Sequence, residues 1–124
     1  MKAVVLVGGA GTRMRPLTET IPKPLVPLLG RPGLDRVLDH LERHGVDEVV
    51  LSSPYLEATF HAFLAARHGH PRITWITEPR PLGTGGAIVH AVPALGDPAP
   101  FLALNGDILT DLDLTAMLAF HRDR

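Results

Sequence analysis

The chain has no cysteine among its 124 residues. That excludes disulfides, thiolate nucleophiles and Cys-ligated zinc, and it fits a reducing compartment. No apolar run approaches the ~20 residues that a membrane span needs. The first residues run straight into a strand pattern, unlike a secretory leader, so a soluble cytoplasmic protein is expected. There is no charge excess either. Twelve Lys and Arg against thirteen Asp and Glu leave a net charge of −1, which argues against nucleic acid or an anionic membrane as a general partner. Seven histidines are scattered without metal-ligand spacing. His40, His61 and His121 fall among polar neighbours on helical segments and are expected at the surface. Internal repeats, low-complexity tracts and clear interdomain linkers are also missing.

What remains is an ordinary globular composition, with 45% hydrophobic and 20% charged residues. A chain of this size suggests one domain, spanning 1–124. Residues 2–7 form a continuous apolar run, as a strand buried on both faces requires. Residues 8–30 read as a long Gly/Pro-rich loop, and loops of that length inside a domain are usually functional. A helix follows over 33–44, with Leu34, Val37, Leu38 and Leu41 on one stripe and Gly45 as its stop. Further strands are expected at Val49–Leu51, at Ile73–Thr77 and at Pro100–Leu104. Further helices are expected over 55–67, 84–92 and 114–122, the last capped by Asp113 or Thr115. This βαβαβαβα order predicts a three-layer α/β/α, Rossmann-like fold with a mostly parallel sheet.

In such sheets ligands bind beyond the carboxyl ends of the strands. Three informative segments fall there. The first is Gly8-Gly9-Ala10-Gly11-Thr12-Arg13-Met14-Arg15-Pro16-Leu17-Thr18, closed by Pro22-Lys23-Pro24. Glycines let a backbone turn its N–H groups toward an anion, and Arg13, Arg15 and Lys23 add fixed cations. The string is neither a Rossmann fingerprint, since position 14 is Met, nor a Walker A loop, since Thr12-Arg13 follows Gly11. The second is Glu78-Pro79-Arg80-Pro81-Leu82-Gly83-Thr84-Gly85-Gly86, and the third is Leu104-Asn105-Gly106-Asp107. Asp107 beside a polyphosphate suits Mg²⁺, a hard ion that takes few protein oxygens, although Asn-Gly-Asp is also an ordinary turn.

These three segments, in this order, resemble the signature of the sugar-nucleotide pyrophosphorylases, the nucleotidyltransferases that act on sugar 1-phosphates. The similarity covers the N-terminal, nucleotide-binding half of that catalytic domain. Within the family it is greatest to mannose-1-phosphate guanylyltransferases. The resemblance implies transfer of a nucleoside monophosphate from an NTP to a sugar 1-phosphate with release of pyrophosphate. GTP and mannose 1-phosphate are the expected substrates. It implies a nucleotide cradle from Leu6 through Gly8, Gly9, Gly11 and Thr12. Arg13 would grip the β- and γ-phosphates, and Lys23 would neutralise charge near the α-phosphate. Arg15 would either join them or brace the loop.

Glu78 would read the base, with Gly83 allowing close approach. A carboxylate accepts from the adjacent N1–H and 2-amino donors of guanine, whereas thymine and uracil suit an amide better. The alternative is a surface glutamate at a strand end. Asn105 would contact the ribose or sugar, or merely shape its turn. Asp107 would be the Mg²⁺ ligand, and Asp111 and Asp113 would cap the following helix. The family's sugar readers, a second metal carboxylate and a lysine for the sugar phosphate have no counterpart in these residues. Two other readings therefore stand beside the first: a non-catalytic nucleotide-binding module or regulatory homologue, and a thymidylyl- or uridylyltransferase acting on glucose 1-phosphate. An open sheet edge would favour self-association into a homo-oligomer.

Overall fold

A computed structural model describes residues 1–8, 21–54, 57–67, 69–96 and 100–124. The apolar run at the N-terminus forms β1 (Lys2–Leu6), and its middle residues Ala3, Val4 and Val5 have no exposed surface. A two-residue hairpin follows, β2 (Pro27–Leu28) and β3 (Arg31–Pro32), and then α1 (Gly33–Arg43). β4 (Glu48–Ser53), α2 (Glu57–Ala66) and β5 (Arg72–Thr77) continue the alternation. α3 (Gly83–Ala91), β6 (Leu102–Asn105) and α4 (Leu114–Arg122) complete it.

The main sheet has the order β5-β4-β1-β6, and every pairing in it is parallel. The parallel α/β architecture expected from the sequence is therefore present. Residues alternate across the sheet, so β1 sends Ala3, Val5 and Val7 into one core and Val4 into another. The larger core packs Val49 and Leu51 of β4 against the α1 stripe of Leu34, Val37, Leu38 and Leu41, with Phe60 of α2. The smaller core sets Val4 and Val50 against Ala91 of α3 and Leu95. Helices thus cover both faces. After β5 the chain crosses to the far side of β1 to form β6. That reversal of winding opens a crevice beyond the carboxyl ends of β1 and β6.

Several boundaries differ from expectation for identifiable reasons. β4 runs past Leu51 because Ser52 and Ser53, both fully buried, continue the ladder with β5. β6 starts at Leu102 and not at Pro100, which has no N–H to give to a ladder. The helix expected over 84–92 starts at Gly83 and ends at Ala91, and Val92–Leu95 tighten into a 3₁₀ turn around Pro93. The stretch 8–30 is not loop throughout. Pro22-Lys23-Pro24-Leu25 closes a 3₁₀ turn, with Leu25 N–H donating to Pro22 O at 2.8 Å. The β2–β3 hairpin turns at Leu29 and Gly30, whose φ values of 51° and 82° lie in the left-handed region. Arg36 of α1 clasps that turn by donating to Leu28 O and Leu29 O.

Two expected caps hold. Gly45, at φ 81°, ends α1, and Asp113 accepts from the Ala116 N–H at 2.9 Å to start α4. No helix among the described residues is long and apolar enough to cross a membrane.

Candidate active site

The strand ends do what the sheet topology requires. β1 ends at Leu6, and Val7 still donates its N–H to Ser52 O at 3.0 Å. Gly8 then passes so close to β4 that a Cβ there would sit 2.6 Å from Pro54 Cδ and 3.4 Å from Glu78 Oε2. Only glycine lets the chain leave the sheet on this path. Gly106 plays the same part after β6. Its N–H donates to Leu6 O at 2.9 Å, and a Cβ would meet Val7 Cγ1 at 2.7 Å. Asn105 and Asp107 flank that contact, so the turn delivers both to the mouth of the crevice.

A cavity of about 390 Å³ lies between these ends, within the range of small-molecule sites. Its lining includes Leu6, Gly8, Lys23, Glu78, Gly83, Asn105 and Asp107. Those are all the candidate residues of the sequence analysis that the structure describes. Gly9, Gly11, Thr12, Arg13 and Arg15 lie outside the described residues. Pro81, Leu82 and Thr84 of the Glu78–Gly86 segment also line the cavity, as do Pro54 and Ala87, which the sequence reading did not single out. Proline and alanine carry no chemical signal, and only its place next to the Glu78–Gly86 segment could have flagged Ala87.

Lys23 reaches the cavity because its neighbours anchor it. Pro22 and Pro24 are buried on either side, while Lys23 itself is exposed. Its Nζ lies 2.7 Å from Asp107 Oδ2. The pair is partly solvated, so its contribution to stability is small, about 0–1 kcal/mol. Its value is placement, since it holds one cation and one carboxylate at the same edge of the cavity.

Glu78 differs. It is only 6% exposed, and its backbone N–H continues the sheet by donating to Ser53 O. Ser52 Oγ donates to Glu78 Oε2 at 3.0 Å, and the Leu82 N–H donates to Oε1 at 3.4 Å. A nearly buried carboxylate is costly unless donors meet it, and here neutral donors from two elements do so. Gly83, at φ 74°, lets the chain turn directly from Leu82 into α3, whose N-terminus opens on the cavity. Such a terminus favours anions.

The arrangement joins a cation, an exposed carboxylate, a buried carboxylate and a glycine-lined wall at one switch point. A single oxygen-donor carboxylate fits Mg²⁺, which uses one or two protein carboxylates and takes the rest from phosphate and water. Among the described residues no group of three or more His, Cys, Asp or Glu could hold a metal without such help.

The chain is similar to known proteins along nearly its whole length. A model of the nucleotidyl transferase family matches residues 2–124. The chain belongs to that family. It is 42% identical over 97% of its length to a mannose-1-phosphate guanylyltransferase of Mycobacterium tuberculosis, of which it spans 33%. It is 40% identical over 94% of its length to an N-acetylmuramate alpha-1-phosphate uridylyltransferase of Neisseria meningitidis, of which it spans 51%. The crystal structure of HddC from Yersinia pseudotuberculosis complexed with GMP-PN superposes with a TM-score of 0.86 at 33% identity, covering 98% of this chain and 54% of that one. The nucleotidyl transferase chain thus spans a third to a half of these relatives.

The other charged clusters are of another kind. Arg67 at the end of α2 donates to Asp35 and, at 3.0 Å, to Asp39 on α1, and Arg31 bridges the same two carboxylates. Burial alone would raise the Asp39 carboxyl, but the two guanidiniums outweigh it and hold the group below its ordinary value. His40 and His44 join α1 to the start of α4 through Leu112 O and Thr115 Oγ1, both at 2.9 Å.

Proposed function

We propose that the protein acts in transfer of a nucleoside monophosphate from an NTP, with GTP preferred, to a sugar 1-phosphate, with mannose 1-phosphate preferred. The observation that carries this reading is one cavity at the switch point that unites Glu78, Lys23 and Asp107. A sugar-phosphate oxygen forms a bond to the α-phosphorus in line, the bond from that phosphorus to the bridging oxygen breaks, and pyrophosphate leaves. Such transfers depend on positioning and on charge stabilisation more than on covalent help from the protein. Lys23 neutralises charge near the α-phosphate, and Arg13 holds the leaving pyrophosphate. Asp107 would hold Mg²⁺, which when bound spreads the charge of the phosphate oxygens. Asn105 contacts the ribose, and Leu6, Gly8, Gly9, Gly11 and Thr12 cradle the nucleotide.

Similarity alone does not choose the base, because relatives at 42% and 40% identity carry guanylyl- and uridylyltransferase names. The carboxylate at Glu78 supports guanine. Its two oxygens can accept from two adjacent donors, which guanine has and uracil lacks. The test is pyrophosphate release from GTP and mannose 1-phosphate with Mg²⁺, comparing wild type with Arg13→Ala and Lys23→Ala. Release by the wild type and its loss in both variants supports the reading. GTP binding without release supports a nucleotide-binding module instead.

A further inference from the structure

Ser52 occupies a place where the strand pattern calls for an aliphatic side chain. It follows Val50 on the face of β4 that packs toward α3, it pairs in register with Leu6 and Ile76, and it has no exposed surface. A hydroxyl there is a burden unless it is hydrogen-bonded. Ser52 Oγ donates to Glu78 Oε2 at 3.0 Å, across 26 residues of sequence. The Leu82 N–H takes the other oxygen at 3.4 Å. Gly8 leaves room beside Oε2, since any Cβ at that position would fall 3.4 Å from it.

We propose that Ser52 is a positioning residue that sets base specificity by fixing the Glu78 carboxylate at the cavity wall. The inference rests on the reading of Glu78 as the base reader. An ionised carboxylate accepts about four hydrogen bonds. Among the described residues each oxygen meets one side-chain or backbone donor, which leaves capacity on each for one more. Because the two protein donors come from different elements, β4 and the turn before α3, the carboxylate cannot swing without losing one of them. The two free acceptor positions therefore stay at a set spacing, as a pair of adjacent N–H donors on a purine requires. A floppy carboxylate would still attract one donor but would discriminate poorly between one and two.

Inosine triphosphate is the probe, because hypoxanthine keeps the N1–H of guanine and lacks only the 2-amino group. Calorimetry with GTP and ITP in Mg²⁺ should give the wild type about a tenfold preference for GTP, the worth of one good hydrogen bond to a charged group. Ser52→Ala should bring that ratio to about two or less, through weaker GTP binding with ITP affinity nearly unchanged. Ser52→Thr, which keeps the hydroxyl, should restore most of it. Ser52→Cys, with a weak donor of similar size, should fall between and serves if the alanine variant does not fold. A wild-type ratio retained in both Ser52→Ala and Ser52→Cys overturns the inference. So does an equal loss of GTP and ITP affinity, which is what a merely structural role would give. A wild type that does not distinguish GTP from ITP overturns the guanine reading itself, and this inference with it.

Discussion

The charge cluster on the α1–α2 face and the charges around the cavity are built differently. On the α1–α2 face, Arg31 and Arg67 share Asp35 and Asp39, so each of the two carboxylates meets two guanidiniums. Arg67 is largely buried there, at 11% side-chain exposure. At the strand ends, Lys23 and Asp107 form one partly open pair at the rim of a cavity, while Glu78 is held from behind by neutral donors. The first cluster spends its charge on joining two helices. The second keeps acceptor capacity turned toward open space. Charge density is thus common to both regions, whereas only the second sets its charges beside a cavity.

The largest effect on nucleotide binding is expected at the cavity. Lys23→Met should lower affinity for GTP with Mg²⁺ by at least about tenfold in calorimetry, because it removes a charge-assisted contact to phosphate. The same variant should leave thermal stability within about 1 kcal/mol, as expected for a solvated ion pair. Equal binding by the variant would place Lys23 with the structural charges. Arg67→Met should do the opposite. Chemical unfolding should show a loss of about 2–4 kcal/mol, since Asp35 and Asp39 each lose a largely buried partner. Nucleotide affinity of the folded fraction should stay within about twofold.

How much of this was legible beforehand follows from how local each signal is. β1 and α4 were readable because an apolar run and an N-capped helix are written within a few residues, and α4 spans 114–122 as expected. Much of the cavity lining was readable because parallel α/β order fixes where strand ends meet, and Glu78 and Asp107 follow the ends of β5 and β6, while Lys23 reaches the same cavity from a 3₁₀ turn. The β2–β3 hairpin was not, because strands of two residues show no periodicity and Pro27 and Pro32 argue against strands. Ser52 and Arg67 were also silent. Their partners lie 26 and 28–32 residues away, and such pairings become visible only after the layers have packed.

Two smaller effects sharpen the contrast. Gly8→Ala should cost about 1–3 kcal/mol and weaken nucleotide binding, because the new methyl meets Pro54 at 2.6 Å and crowds Glu78. Melting and calorimetry on one sample check both parts together. The smallest effect is in acid. Asp39 has its carboxyl held below the ordinary value of 3.8, so it binds its proton less readily folded than unfolded. Its contribution is present above that value and is lost as pH falls through the lower folded one. Asp39→Asn should flatten that part of the stability profile as pH falls below the ordinary value of 3.8, read by urea unfolding at stepped pH.

The cavity at the strand ends is proposed to grip a guanine nucleotide. Calorimetry of the protein with GTP, UTP and dTTP in Mg²⁺ tests it most directly. The expected result is saturable binding of one GTP per chain, at least about tenfold tighter than UTP or dTTP, from the second hydrogen bond at Glu78. Preference for dTTP or UTP, or no binding of any triphosphate, would contradict it.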